Sequence, residues 1–175
     1  NSPGGSAYGS EQIWYAVSEL KKEKPVIVSM GDYAASGGYY ISCNADTIVA
    51  EPTTLTGSIG IFGMFPNAKG LTDKIGVNFD VVKTNKMADL GASLGPVLTR
   101  PLNASEQELM QNYVNRGYKL FVNRCAEGRK MSTEAIEKVA EGRVWTGAMA
   151  KDLGLVDELG GIDKALNAAA TQAGI

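Results

Sequence analysis

Histidine is absent from this chain, and cysteine occurs only twice, as Cys43 and Cys125. Without histidine, the chain cannot assemble a Ser-His-Asp catalytic triad from its own residues. Two cysteines so far apart match no zinc-ligand spacing, so we expect no metal site and no cofactor. We expect both cysteines to be buried thiols, with a disulfide between them as the open alternative.

An excess of charge of either sign is also lacking. Lys and Arg number 17, and Asp and Glu number 19, which gives a formal net charge of −2. Because this balance provides no electrostatic attraction for a phosphate backbone, we expect no nucleic-acid partner.

No apolar run reaches the roughly 18 residues that a transmembrane helix needs. The opening residues, NSPGGS, are typical of the middle of a loop, so we expect a fragment whose targeting and anchoring segments lie elsewhere. The 175 residues suffice for one domain with a substantial core. No linker-like stretch divides them, so we expect a single domain over residues 1–175.

Short apolar runs alternate with helical patterns along the chain. The runs at 26–29 and 47–50 predict buried parallel strands, and the patterns at 58–64 and 78–84 predict two more. A capping-box pattern of Ser105 and Glu108 predicts the start of a long helix that reaches about residue 127. Other helices are predicted at 10–20, 34–43, 67–75, 133–140, 147–153 and 163–173. This alternation predicts an α/β fold with a largely parallel sheet flanked by helices.

A serine stands between small residues in the stretch YAASGGYYISC, residues 33–43. At a sharp turn from strand to helix, the hydroxyl of Ser36 is exposed, and the N–H of Gly37 points toward a developing oxyanion. This pattern makes Ser36 a candidate nucleophile. The alternative is that Ser36 only caps a helix and that the glycines allow close packing.

Two further stretches combine serine with glycine. In NSPGGS, residues 1–6, consecutive glycines expose backbone N–H groups that would suit a second oxyanion donor, although the motif alone predicts only a turn. In LTGSIG, residues 55–60, Ser58 stands at a strand entrance, where a bulge or turn is the simpler interpretation.

These stretches occur in a definite order with VSMGDYAASGGYYIS (28–42), PTTLTGSIGIFG (52–63) and GRVWTGAMAKDLGLVDELGG (142–161). Together they resemble the signal peptide peptidase A family, also called protease IV, over nearly the whole chain. The resemblance implies a crotonase-like, Clp-protease-like α/β fold and Ser/Lys hydrolysis of peptides, notably signal peptides left in the membrane. It also implies a homo-oligomer at the bacterial cytoplasmic membrane, with the catalytic domain on the extracytoplasmic side.

The resemblance assigns roles by position. The family nucleophile falls on Ser36, and its oxyanion donors fall on the backbone N–H groups of Gly37 and Gly4. Ser58 matches the serine that orients the catalytic lysine. These roles are expectations from the resemblance.

The lysine itself is missing from its expected place. In shorter family members the base follows the strand that matches 79–83, at the position that Ala88 occupies here. Lys83 and Lys86 are near but out of register. In longer members, built from two related halves, the N-terminal half donates the lysine. The resemblance therefore implies that this chain is the C-terminal half of a long-form enzyme and that its partner half supplies the base.

Two other functions remain open at this stage. An acyl-CoA hydratase or isomerase on the same fold would use a two-loop oxyanion hole for a thioester enolate, although such enzymes usually place a carboxylate at the reacting centre. A non-catalytic assembly module is the other possibility. For the two-half peptidase that the resemblance implies, an exposed apolar surface where the missing half would dock favours self-association.

Overall fold

The computed structural model describes residues 1–94 and 96–175. Two compact units divide the chain: the first comprises residues 1–61 and 117–175, and the second comprises residues 62–116. Among the described residues, no helix is both long and apolar enough to cross a membrane. The helices are α1 (Ala7–Leu20), α2 (Gly37–Ser42), α3 (Lys69–Lys74), α4 (Ala104–Arg129), α5 (Thr133–Glu137), α6 (Gly147–Asp152) and α7 (Ile162–Ala173). The strands are β1 (Ile27–Met30), β2 (Tyr33–Ala35), β3 (Thr47–Ala50), β4 (Leu55–Gly57), β5 (Ser93–Leu94), β6 (Val97–Leu98), β7 (Val144–Thr146) and β8 (Glu158–Leu159).

The first unit contains two small sheets that are mainly parallel. In one sheet, β3 lies between β1 and β8 and is parallel to both. All four residues of β3 are buried, as expected for a strand covered on both faces. In the other sheet, β4 lies between β2, which is parallel to it, and β7, which is antiparallel. The predicted α/β fold with a largely parallel sheet is therefore confirmed.

The core of the first unit lies where α2 packs against α4. The side chains of Tyr39 and Phe121 are almost fully buried in this core. Gly128 allows the two helices to approach closely, because a Cβ atom there would overlap the carbonyl oxygen of Cys43. Cys43 and Cys125 are both buried and free, which confirms the prediction of buried thiols.

Two predicted strands are wrong. The predicted strand at 58–64 lies too late in the sequence, because β4 ends at Gly57 and Ser58 has a φ of 49°, which breaks the extended conformation. The segment at 78–84 forms no strand. Its apolar residues pair with no neighbouring strand among the described residues, and the side chain of Val82 is fully exposed. An apolar pattern alone does not make a strand when no partner edge is available.

The start of α4 also differs from the prediction. Asn103 and Glu106 form the capping box there, two residues before the predicted pair of Ser105 and Glu108. The N–H of Glu106 donates to Asn103 Oδ1 at 3.0 Å, and the N–H of Asn103 donates to Glu106 Oε2 at 2.8 Å. Asparagine is as favourable as serine at an N-cap, so both residue pairs have the pattern of a capping box and the sequence alone does not distinguish them.

Charged side chains link the loop after residue 82 to the start of α4 in the second unit. The Lys83 ammonium donates to Asp89 Oδ1 at 2.9 Å. Arg100 donates to Asp89 at 3.0 Å and to both carboxylate oxygens of the buried Glu106, at 2.7 and 2.8 Å. Hydrogen bonds from Lys83 and then Arg100 lower the pKa of Asp89 to about 2, and the bond from Arg100 lowers the pKa of Glu106 to about 2. We call these four residues the Arg100 network.

We predict that the Arg100 network makes the protein sensitive to acid. The folded-state pKa values of Glu106 and Asp89 lie below their ordinary values of 4.5 and 3.8. Their stabilisation is therefore complete above those ordinary values and is lost as the pH falls from there through about 2. Urea titrations between about pH 7 and about pH 2.5 measure the free energy of unfolding. Glu106→Gln should lower stability at neutral pH and flatten its decline in acid.

Glu108→Gln provides the matched control, because Glu108 is exposed on the same helix. The free energy of unfolding of Glu108→Gln should vary with pH in the same way as that of the parent. Parallel profiles for Glu106→Gln and the parent would show that Glu106 does not contribute to the acid sensitivity.

Candidate active site

The two candidate serines follow the ends of neighbouring parallel strands. Ala35 at the end of β2 is in register with Gly57 at the end of β4. Ser36 and Ser58 come next, and the N–H of Ser36 donates to the carbonyl of Gly57 at 2.9 Å. The pairing of β2 with β4 therefore brings together two serines that are far apart in the sequence. Ligands of open α/β folds commonly bind at this carboxyl edge of the strands.

Ser36 has an unusual backbone conformation, with φ of 54° and ψ of −119°. Few residues other than glycine adopt positive φ, and such strain persists only where the surrounding structure enforces it. Ser36 occupies the N-cap position of α2, but its side chain makes no capping hydrogen bond. Ser36 is half-buried, and its hydroxyl does not cap α2. The alternative interpretation, in which Ser36 only caps the helix, is therefore not supported. The arrangement of strand, strained serine and helix is the one that exposes a nucleophile.

A loop of residues 2–5 lies directly against this turn. Ser2 bridges to β2, since its N–H donates to the Tyr33 carbonyl and its carbonyl accepts from the Ala35 N–H, both at 2.9 Å. Gly4 follows with a φ of +101°, and a Cβ atom there would lie 2.7 Å from Ser36 Cβ and 2.8 Å from the Gly37 nitrogen. No larger residue fits at position 4 without displacing the candidate nucleophile.

Two glycines with unengaged backbone amides lie close together next to the turn at Ser36. Among the described residues, the amides of Gly5 and Gly37 donate no hydrogen bond. Gly5 N would lie 3.2 Å from a Cβ atom on Gly37, so the two residues are close neighbours. The amide of Gly4 is instead engaged, because it donates to Ser2 Oγ at 3.3 Å. Two unengaged amides beside a serine hydroxyl are suited to stabilising negative charge on a substrate oxygen.

The resemblance assigns the second oxyanion donor to Gly4 and gives no role to Gly5 or Ser2. The serine two residues before Gly4 is the signal in the sequence that the Gly4 amide is engaged. Serine hydroxyls commonly accept a hydrogen bond from the N–H two residues later, which would have identified the Gly4 amide as engaged.

Ser58 is held from the other side by β7. Its φ of 49° is also positive, and its N–H donates to the Arg143 carbonyl at 2.7 Å. The preceding Gly57 has a φ of +80°, and a Cβ atom there would lie 2.8 Å from Trp145 Cδ1. Trp145 also donates from Nε1 to the Val139 carbonyl at 2.9 Å. Trp145 therefore packs against the strand end and fixes the backbone at Ser58.

The second unit contains the positions considered for the base. Lys83 Nζ is bound by Asp89 and also contacts the carbonyl of Lys86 at 3.3 Å. Lys86 and Ala88 are exposed. Ala88 lines a cavity of about 710 Å³ together with Val81 and other residues of the second unit. In the part of the chain that the structure describes, no group of His, Cys, Asp or Glu side chains could hold a metal ion.

Comparisons with known proteins identify relatives of this chain. The model of Peptidase family S49 matches residues 18–175. The chain is 47% identical over 171 residues to Protease 4 of Salmonella typhi, covering 97% of this chain and 27% of that protein. It is 44% identical over 177 residues to the chloroplastic serine protease SPPA of Arabidopsis thaliana, covering 100% of this chain and 25% of that protein. The chain thus spans about a quarter of the length of these relatives.

A solved structure supports the fold. A ClpP1 mutant from Listeria monocytogenes aligns with a TM-score of 0.56 at 19% identity, covering 95% of this chain and 73% of that one. This likeness confirms the predicted Clp-protease-like fold. Because the family model covers most of the sequence and includes the stretches around both candidate serines, the chain belongs to peptidase family S49.

Proposed function

We propose that this chain carries the nucleophile of a serine peptidase, and that the nucleophile is Ser36. The observation that carries the proposal is the strained backbone at Ser36. The Ser36 hydroxyl makes no capping hydrogen bond to α2, and two backbone amides near it donate no hydrogen bond. Membership of a peptidase family supports it, as do the relatives named Protease 4 and serine protease. The geometry offers little to the two alternatives, because neither a hydratase nor an assembly module needs a strained serine at this turn.

In the proposed reaction, Ser36 Oγ attacks the carbonyl carbon of a peptide bond, and its proton passes to a neutral amine. The carbonyl oxygen becomes an oxyanion that the N–H of Gly37 and a second N–H from the 2–5 loop stabilise. The leaving amine takes up the proton, and an acyl-enzyme ester forms on Ser36. Water then attacks the ester and regenerates the hydroxyl.

For the second oxyanion donor, we favour the amide of Gly5 over the amide of Gly4. The Gly4 amide donates to Ser2 Oγ, whereas the Gly5 amide is not engaged and lies next to Gly37. In this arrangement the role of Gly4 is steric, because a side chain at this position would displace Ser36.

The proton acceptor is proposed to be a lysine supplied from outside this chain. The chain has no histidine, and Lys83 donates a hydrogen bond to the half-buried Asp89. Ser58, which lies beside Ser36 at the strand ends, would accept a hydrogen bond from the incoming lysine and orient it.

The proposed missing lysine also suggests how this chain fits into a larger protein. We propose that residues 1–175 form one peptidase domain, the C-terminal half of a two-half protein whose N-terminal half provides the lysine. Signal peptides are the proposed substrates. A homo-oligomer at the extracytoplasmic side of the bacterial cytoplasmic membrane, anchored by segments outside this chain, is the proposed setting.

Replacing Ser36 with alanine in the full-length protein should abolish peptide hydrolysis. Loss of a serine nucleophile lowers kcat by about 10⁴-fold or more. Folding should be unchanged, because the hydroxyl makes no capping bond that the variant would lose. Steady-state kinetics with a peptide substrate, together with thermal unfolding, measure both effects. Ser29→Ala, at an exposed position of β1, is the control and should match the parent. A Ser36→Ala protein that keeps more than a few per cent of the activity contradicts the assignment.

Replacing Ser58 with alanine should have a milder effect. Because Ser58 is proposed to orient the base without attacking the substrate, kcat should fall about tenfold to a hundredfold. Ser58→Gly is the matched variant, since glycine also lacks the hydroxyl but adopts positive φ without strain. Equal losses in both variants would assign the effect to the hydroxyl. If both variants match the parent's rate across the pH range, the orienting role is wrong.

The chain of residues 1–175 alone should fold but hydrolyse peptides at least about a hundredfold more slowly than the full-length protein, because it lacks its general base. In the full-length protein, Lys83→Ala and Lys86→Ala should remain active. Strong activity of the isolated chain that disappears on replacing Lys86 would show that the base is internal.

Ala88→Lys in the isolated chain extends this test. A lysine at position 88 borders the 710 Å³ cavity, which has room for its side chain. If position 88 corresponds to the base of shorter relatives, this variant should gain hydrolysis over the parent chain, and the gain should disappear when Ser36 is also replaced by alanine.

A further inference from the structure

The side chain of Ser2 has a contact that the proposed reaction does not use. Ser2 Oγ accepts the N–H of Gly4 at 3.3 Å, two residues later in the chain. Serine hydroxyls often stabilise tight turns through this bond. Pro3, between the two residues, further restricts the turn because its ring fixes φ. The hydroxyl thus engages the Gly4 amide, which would otherwise be available to another acceptor.

Ser2 is itself firmly attached to the strand that ends at the nucleophile. Its backbone forms hydrogen bonds of 2.9 Å with both Tyr33 and Ala35 on β2. Its side chain lies against the first turn of α2, where a Cβ atom on Gly38 would be 2.9 Å from Ser2 Cβ and 3.1 Å from Ser2 Oγ. The hydroxyl therefore lies between the glycine loop and the helix that follows Ser36.

The next two residues depend on this attachment. Gly4 and Gly5 have φ values of +101° and +152°. Glycine reaches these conformations easily, but it also leaves them easily, so the sequence alone does not hold the loop in one shape. The bond from the Gly4 amide to Ser2 holds the Pro3–Gly4 peptide, which precedes Gly4, and the nitrogen of the next residue, Gly5, lies beside Gly37.

We propose that Ser2 is a positioning residue for the oxyanion hole, and that its hydroxyl binds the Gly4 amide so that the Gly5 amide faces the substrate oxygen. This inference rests on the proposed peptidase function of Ser36. Ser2 does not touch the substrate. It acts through the loop, so its loss weakens transition-state stabilisation and leaves ground-state peptide binding unchanged.

Ser2→Ala in the full-length protein tests the inference by kinetics and inhibition. The expected result is a fall in kcat of about tenfold with little change in KM, smaller than the loss of a whole oxyanion donor. A peptide aldehyde forms a tetrahedral adduct with the Ser36 hydroxyl, and its oxygen occupies the oxyanion hole. Its inhibition constant should rise by the same factor as kcat falls. A peptide with a reduced, uncleavable bond should bind as tightly as it binds to the parent.

Ser2→Thr and Ser2→Val provide a second, isosteric comparison in case the alanine variant is poorly folded. Both side chains have the same shape and suit an extended segment, but only threonine keeps the hydroxyl. Ser2→Thr should retain kcat and aldehyde affinity, and Ser2→Val should lose both.

Ser6→Ala is the control within the same loop. Ser6 Oγ accepts the N–H of Gly9 at 3.1 Å and caps α1. Its loss should lower Tm without changing kcat or the aldehyde's inhibition constant.

Unchanged kcat and aldehyde affinity in Ser2→Ala and Ser2→Val would overturn the positioning role. Equal weakening of the aldehyde and of the uncleavable peptide would also overturn it, since that pattern indicates general damage to the binding site. Either result, with Ser36→Ala inactive, leaves the proposed peptidase function intact. An active Ser36→Ala protein would remove the proposed function and this inference together.

Discussion

Three backbone segments approach one another closely at Ser36, and this close approach constrains the whole candidate site. The end of β2 carries Ser36, the end of β4 accepts its N–H, and Gly4 lies against its side chain. Because these segments almost touch, only small residues fit around the serine, and its backbone is forced to a positive φ. The concentration of glycine and alanine that distinguishes this part of the sequence follows from that crowding.

Such crowding has an energetic cost that the packed core must offset. A residue other than glycine at positive φ costs on the order of 1–3 kcal/mol, and Ser36 and Ser58 both adopt this conformation at the strand ends. The hydrogen bonds from the Ser36 N–H to Gly57 and from the Ser58 N–H to Arg143 help to hold the two serines in this conformation. Residues in sparsely populated backbone conformations cluster at functional sites, which supports a functional interpretation of these two serines.

The sequence predicted the fold class and the turn at Ser36 because both depend on local patterns. The fully apolar run of β3 and the small residues before α2 are examples. The end of β4 could not be predicted, since the conformation of Ser58 depends on a hydrogen bond to Arg143, far along the chain. The strand pattern at 78–84 failed for the opposite reason: local preference was present, but a pairing edge was absent among the described residues. The engaged amide of Gly4 depends on the orientation of one serine side chain, which residue types alone do not specify.

Ser36 is the proposed nucleophile of a peptidase whose base comes from outside this chain. Reaction of the full-length protein with a fluorophosphonate, followed by mass spectrometry of its peptides, is a direct test, because the reagent modifies activated hydroxyls. We predict a stoichiometric phosphonyl adduct on Ser36 in the full-length protein and very slow modification of the isolated residues 1–175. An adduct on a different serine, or an unmodified full-length protein that still hydrolyses peptides, would contradict it.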